Sequence, residues 1–99
     1  GPCIGPARFE VGKEVRDAFV CERAEADEAF TAHAAAPGKY WADLALLARQ
    51  RLKRLGIAQI GGNDSSPGWC TFLNADVFFS HRRDRVSGRF AAAIWRQKT

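Results

Sequence analysis

Methionine is absent from all 99 residues, tyrosine occurs once and histidine only twice. With so few histidines and no paired carboxylates, no complete acid-base or nucleophilic constellation is visible in the chain by itself. The three cysteines, Cys3, Cys21 and Cys70, are odd in number, far apart and outside any Cys-x-x-Cys or Cys/His spacing. Neither a disulfide framework nor a self-contained zinc site is therefore written here, and reduced thiols are expected. No apolar run approaches the roughly 20 residues of a membrane span, and no basic segment leads into an apolar signal core. The expectation is a soluble, cytoplasmic chain without a membrane partner. Internal repeats and low-complexity tracts are also lacking.

What is present is globular in composition: 46% hydrophobic and 11% aromatic residues, enough for one domain that buries about two thirds of its unfolded surface. The net charge of +4 arises from 15 Lys and Arg against 11 Asp and Glu. It suits an anionic partner, but the basic residues are spread along the chain and nominate none.

Residues 9–21, FEVGKEVRDAFVC, place Val11, Val15, Ala18 and Phe19 on one helical face, which predicts an amphipathic helix with Gly12 inside it. The alanine- and acid-rich stretch that follows predicts a short helical segment over 24–30 on the surface, with a solvated acidic face and a solvated His33. It ends at the Pro37-Gly38 turn signal. The clearest element is YWADLALLARQRLKRLG, with a stripe of Leu44, Leu47, Ala48, Leu52 and Leu55, predicting a helix over 41–55. Its late basic residues favour the helix dipole, and Gly56 suits a left-handed cap. These arginines are thereby accounted for without nucleic acid.

Beyond it, IAQI at 57–60 predicts a short strand and GGNDSSPG a loop. Asn74 can cap one helical turn carrying Val77 and Phe78 inward. RFAAAIW at 89–95 is apolar and bounded by Gly88, which predicts a buried strand. The resulting class is α/β in the broad sense, or α+β, with an incomplete sheet.

Residues 78–89, FFSHRRDRVSGR, concentrate the chemistry. Of the adjacent arginines Arg82 and Arg83, one can pair with Asp84 while the other offers its planar fork to a phosphate, a carboxylate or a purine edge. The competing reading is an Arg-Asp pair that only locks the loop. His81 could act as a base, although two neighbouring arginines discourage a second positive charge there. Cys70 reads either as a partly exposed thiol or as a buried, inert one.

The blocks Gly1–Gly5, Phe9–Gly12, Cys70-Thr71, Phe78–Asp84 and Ser87–Arg89 carry a resemblance over essentially the whole chain. In order and spacing they are similar to the C-terminal part of the laccase-domain or polyphenol oxidase proteins of the YfiH-like family, multifunctional purine-nucleoside enzymes. Two departures stand out. Ala7-Arg8 occupies positions where the family often has cysteines, and His81 replaces a tyrosine.

The resemblance implies a layered fold with helices flanking β-sheets, shared distantly with the catalytic domain of a bacterial deamidating toxin. It implies phosphorolysis of adenosine, inosine, guanosine and methylthioadenosine, and deamination of adenosine, with an older description as copper-dependent laccases. It also implies zinc held by two histidines and a cysteine in motifs that precede Gly1, so no metal ligand is expected in this chain. The Gly-Pro start, which could be a protease scar, then reads as the edge of a C-terminal portion, residues 1–99 of one domain lacking its N-terminal part. No catalytic residue is expected within these residues, and the piece alone is expected to be inactive. The expected role is a pocket wall for purine nucleosides and phosphate built from Ser80, Arg82 or Arg83, and Arg89, supported by Cys70, His81 and Asp84, with Phe78 and Phe79 anchored in the core. Two other classes stay open: a basic nucleic-acid module using Trp69, Phe72 and the arginines, and a non-catalytic assembly domain.

Overall fold

Gly12 ends a strand and caps a helix, and this junction sets the architecture. A computed structural model, describing residues 1–98, shows β1 at Glu10–Gly12 running directly into α1 at Lys13–Glu22. The helix expected over 9–21 therefore starts later than its periodicity suggests. Residues 9–12 alternate inward and outward as well as they fit a helical face, and cross-strand pairing decides between the two: Glu10 lies opposite Trp41, Val11 opposite Tyr40 and Gly12 opposite Lys39. Within α1 the predicted face holds for Val15 and Phe19, while Ala18 is exposed.

A 3₁₀ segment at Ala24–Ala29 matches the short helical piece expected there. It is not simply surface, because Ala26 and Ala29 are buried and feed the core. Its acidic residues are partly paired: Asp27 meets Arg16 at 2.7 Å. The segment leads into β2, Phe30–Ala32, and β3, Lys39–Ala42, neither of which the alanine-rich composition revealed. The turn signal was sound, for Gly38 takes φ +79° between them. All three strands are antiparallel, in the order β1-β3-β2.

The second helix, α2, spans Leu44–Arg54 rather than beginning at 41, since Trp41 belongs to β3. Asp43 ends the strand and caps the helix, its carboxylate accepting from the Leu46 N–H at 3.0 Å and from the Ser65 hydroxyl. Gly56 takes φ +87°, as the C-terminal reading required. The core forms where α1, the 3₁₀ segment and α2 close on the sheet: Val11, Ala26, Ala29, Phe30, Ala42 and Leu47 are buried, with Phe19 tilted against Phe30 at 5.9 Å. Three alanines in this set let backbones approach closely, which large side chains would prevent.

Of the predicted leucine stripe only Leu47 is buried; Leu44 and Leu55 are exposed. Leu44, Ala48 and Leu52 instead edge a second groove, which also contains Cys3, Ile60 and Asn63. Residues 57–60 form no strand. Their conformation is set by Arg49, which donates to the carbonyls of Ile60, Gly62 and Asn63. An arginine clamp replaces a strand partner. Other basic groups on α2 meet acids from the preceding turns: Arg51 reaches Glu22 and Arg54 reaches Glu25, each at 3.5 Å.

The expected buried strand at 89–95 is also absent. Phe90, Ile94 and Trp95 are 70%, 97% and 79% exposed, because among the described residues no strand lies beside this segment to pair with it. Its apolar composition is that of a buried strand, but composition cannot supply the neighbouring backbone. The class is α+β, mixed helices on a small, partial antiparallel sheet.

Candidate functional site

Asn74 closes a tight turn, but not as an N-cap. Its side-chain amide donates to the carbonyls of Pro67 and Cys70, at 2.7 and 2.8 Å, and its own carbonyl accepts from the Val77 and Phe78 N–H groups. The turn does not carry Val77 inward, since that residue is 68% exposed, and Phe79, at 71%, is no core anchor either. Phe78 is half-buried.

Ser80 then starts α3, a single turn over His81–Asp84. Its hydroxyl accepts from the Arg83 N–H at 3.3 Å and its carbonyl from the Asp84 N–H at 2.9 Å. Arg85, at φ +64°, closes the turn with a left-handed cap. Serine and the helical turn thus fix where the two arginines point.

They point to different ends. The Arg83 guanidinium turns inward: Nη1 donates to the carbonyls of Thr71 and Phe72 at 2.8 and 2.9 Å, Nη2 to that of Phe78 at 3.0 Å, and Nε and Nη2 grip the Asp84 carboxylate. Every nitrogen of the fork is engaged by the protein itself. Of the two readings of the Arg-Asp pair, the lock describes Arg83, so this residue and Asp84 leave the expected pocket wall. Arg82 turns the other way, donating to the Glu10 carbonyl at 2.9 Å and lying 5.3 Å over the Phe9 ring. It thereby ties α3 to β1.

Between these anchors lies a cleft of about 650 Å³. Ser80, His81, Arg82 and Arg89 line it together with Pro2, Ile4, Phe9, Thr71, Phe79 and Phe90. Four of the seven expected residues therefore share one space, while Arg83, Asp84 and Cys70 do not. Cys70 is 1% exposed, which settles its two readings in favour of the buried thiol; its Sγ accepts from the Gly5 N–H at 3.1 Å. The Ser80 hydroxyl is buried and already serves the α3 cap. His81, Arg82 and Arg89 are exposed on the cleft. Phe79 packs so closely on Gly88 that a Cβ there would lie 2.7 Å from the ring. Glycine is thus required for that aromatic edge to stay where it is.

The residues that single-sequence reasoning passed over are Pro2, Ile4 and Phe9, brought to the cleft from the far end of the chain. Only the family-like blocks at 1–5 and 9–12 signalled them. His33, expected to be solvated, stacks on Trp41 at 4.6 Å with its Nε2 3.4 Å from the Glu10 carboxylate. Neither histidine joins a metal centre: among the described residues no three His, Cys, Asp or Glu side chains come together as ligands. These residues do not fit a zinc or copper ion on their own.

The cleft is chemically mixed, with guanidinium groups beside aromatic and aliphatic carbon. That combination suits a small ligand with an anionic part and a flat, apolar part. Comparison with known proteins narrows the class. The sequence profile of the multi-copper polyphenol oxidoreductase laccases matches residues 1–97. The chain is similar to purine nucleoside phosphorylase YfiH of Escherichia coli, 50% identical over 95 residues, which cover 96% of this chain and 36% of that protein. A purine nucleoside phosphorylase of Pseudomonas aeruginosa is 48% identical over 97 residues, covering 98% of this chain and 38% of its own length. The crystal structure of a Neisseria meningitidis protein of the DUF152 family superposes with a TM-score of 0.79 at 44% identity, over 89% of this chain and 34% of that one. The chain thus spans a little over a third of the length of the curated relatives it matches. On this profile and these likenesses, it belongs to the laccase-like family of multi-copper polyphenol oxidoreductase description that includes the YfiH and DUF152 proteins.

Proposed function

We propose that these residues form the C-terminal portion of one laccase-like domain in a cytoplasmic purine nucleoside phosphorylase, where they supply a wall of the nucleoside and phosphate pocket. The observation that carries this reading is the convergence of Arg82 and Arg89 with the aromatic groups Phe9, Phe79 and Phe90 on one cleft. Phosphorolysis joins an oxygen of inorganic phosphate to C1′ of the nucleoside as the bond to the base nitrogen breaks. Two guanidinium groups are suited to hold the phosphate and keep its charge in place through that exchange. The aromatic edges give the base and ribose a surface from which water is displaced. Arg83 belongs to the scaffold of the wall, not to its face.

In this reading the substrates are adenosine, inosine, guanosine and methylthioadenosine, with adenosine deamination as a further activity. Zinc, where the whole protein uses it, is held by residues in the part of the relatives that this chain does not span. Nucleic acid is disfavoured as a partner because α2 spends Arg49 on backbone carbonyls and Arg51 and Arg54 on carboxylates.

Arg82→Ala and Arg89→Ala in the complete protein test the proposal, with release of free base from inosine followed chromatographically as phosphate is varied. The expected result is a rise in KM for phosphate of roughly tenfold or more in at least one variant, the loss of about one charge-assisted contact. Unchanged kinetics in both would remove the cleft from the reaction. No base release by the unsubstituted protein would overturn the activity itself.

A further inference from the structure

Cys3 and Cys70 lie far apart in sequence and opposite one another in space. The Cys3 N–H donates to the Trp69 carbonyl at 3.3 Å and the Thr71 N–H donates to the Cys3 carbonyl at 3.0 Å, an isolated parallel bridge in which the two cysteines are the facing pair. Facing residues on neighbouring strands sit about 4.8 Å apart at Cα, inside the range of about 4.4–6.8 Å that a disulfide spans. Facing residues of neighbouring strands project their side chains to the same face of the pair. Both are free thiols, and each sulfur accepts a hydrogen bond: Cys70 from the Gly5 N–H at 3.1 Å, Cys3 from the Asn63 amide at 3.3 Å.

Their accessibilities differ. Cys70 is 1% exposed, whereas Cys3 is half-buried and borders both the cleft and the groove beside α2. Of the two thiols, Cys3 is therefore the one that a small oxidant reaches. We propose that Cys3 and Cys70 form an oxidisable dithiol, which a hydroperoxide converts into an intrachain disulfide.

The chemistry balances in two steps. The Cys3 sulfur, as thiolate, attacks the peroxide; its S–O bond forms, the O–O bond breaks, and the remaining oxygen takes a proton and leaves as an alcohol or as water. Cys3 is then a sulfenic acid, oxidised by two electrons, and the peroxide is reduced by the same two. The Cys70 sulfur next attacks the Cys3 sulfur; the S–S bond forms, the S–O bond breaks, and the Cys70 proton leaves with the hydroxyl as water. Burial raises the Cys3 thiol above its ordinary value, an effect partly opposed by the Asn63 hydrogen bond. A smaller share of the thiol is then thiolate at a given pH, which slows the first step relative to an unburied cysteine. This proposal does not depend on the nucleoside reading.

Peptide mapping of the complete protein after treatment with hydrogen peroxide, with free thiols blocked before digestion, is the test. The expected product is a linked pair of peptides containing Cys3 and Cys70, with the mass loss of two hydrogens, released by dithiothreitol. It should persist in Cys21→Ser and vanish in Cys3→Ser, a substitution at a half-buried position that keeps Cys70 in the core. Recovery of Cys3 as sulfinic or sulfonic acid with Cys70 still a free thiol would overturn the proposal. So would a bond from Cys3 to any other cysteine.

Discussion

Replacing Arg83 by alanine removes three hydrogen bonds to backbone carbonyls and the grip on Asp84. A bond from a charged donor contributes about 1.5–3 kcal/mol when well shielded. Arg83 keeps 18% of its side chain exposed, so water can re-solvate part of what is lost and about 1 kcal/mol per carbonyl is the better figure. The Asp84 pair, at 45% exposure on the acid side, adds only a few tenths of a kcal/mol. The expected loss is about 3 kcal/mol. Urea unfolding of the complete protein measures it, read as a lowered midpoint at constant slope. Arg83→Lys should recover only about 1 kcal/mol, since an ammonium cannot reach three carbonyls in the geometry of a planar fork. Arg82→Ala, which removes one exposed backbone contact, should cost no more than about 1 kcal/mol. A loss below about 1 kcal/mol for Arg83→Ala, or equal losses at the two positions, would refute the division of labour between them.

Three further outcomes are expected. Asp43→Ala removes the α2 cap and the acceptor for Ser65, and should destabilise the protein by about 1–2 kcal/mol in the same assay. Gly5→Ala places a Cβ 3.1 Å from that of Cys70; with Cys70 buried and unable to swing aside, a loss of about 1–3 kcal/mol is expected, and a neutral result would show that the bridge relaxes easily. Finally, iodoacetamide should label exposed Cys21 before Cys3, whose thiol is raised chiefly by burial, with Asp43 and Cys70 adding to the rise and Asn63 opposing it. A raised thiol is protonated below its shifted value, so Cys3 labelling should accelerate as pH climbs through the alkaline range; a rate independent of pH, followed by mass spectrometry, would contradict the shift.

Sequence patterns found the features that depend on near neighbours. The body and C-cap of α2, the Pro37-Gly38 turn, the loop after Gly61 and the short 3₁₀ piece all follow from local periodicity or turn chemistry. What failed depends on distant partners. β1 was hidden because Val11 and Val15 also fit a helical face, and only pairing with Tyr40 and Lys39 settles the matter. β2 was hidden in an alanine-rich run and β3 by the reading of Trp41 as the start of a helix; both are strands because they pair across the sheet, Phe30 opposite Ala42 and Thr31 opposite Trp41. The apolar runs at 57–60 and 89–95 have strand composition but no adjacent edge. Four cleft residues were legible in one short motif, yet which arginine faces the cleft was not: adjacent arginines are equivalent in a string of letters, and the turn after Ser80 is what separates them.

The Cys3–Cys70 bridge also bears on the order in which the chain folds. Residues 10–54 hold the sheet, both longer helices and the buried core, and even their widest pairing, Glu10 opposite Trp41, closes a much shorter stretch of chain than the bridge does. The bridge joins segments whose hydrogen bonds cross 65 residues or so, and closing a loop of that length loses chain entropy that a single pair of backbone bonds cannot offset alone. The cleft, lined from residues 2–9 and 71–90, therefore assembles late, on a scaffold already formed. A substitution at Gly5 or Cys70 should accordingly speed unfolding and leave the refolding rate nearly unchanged.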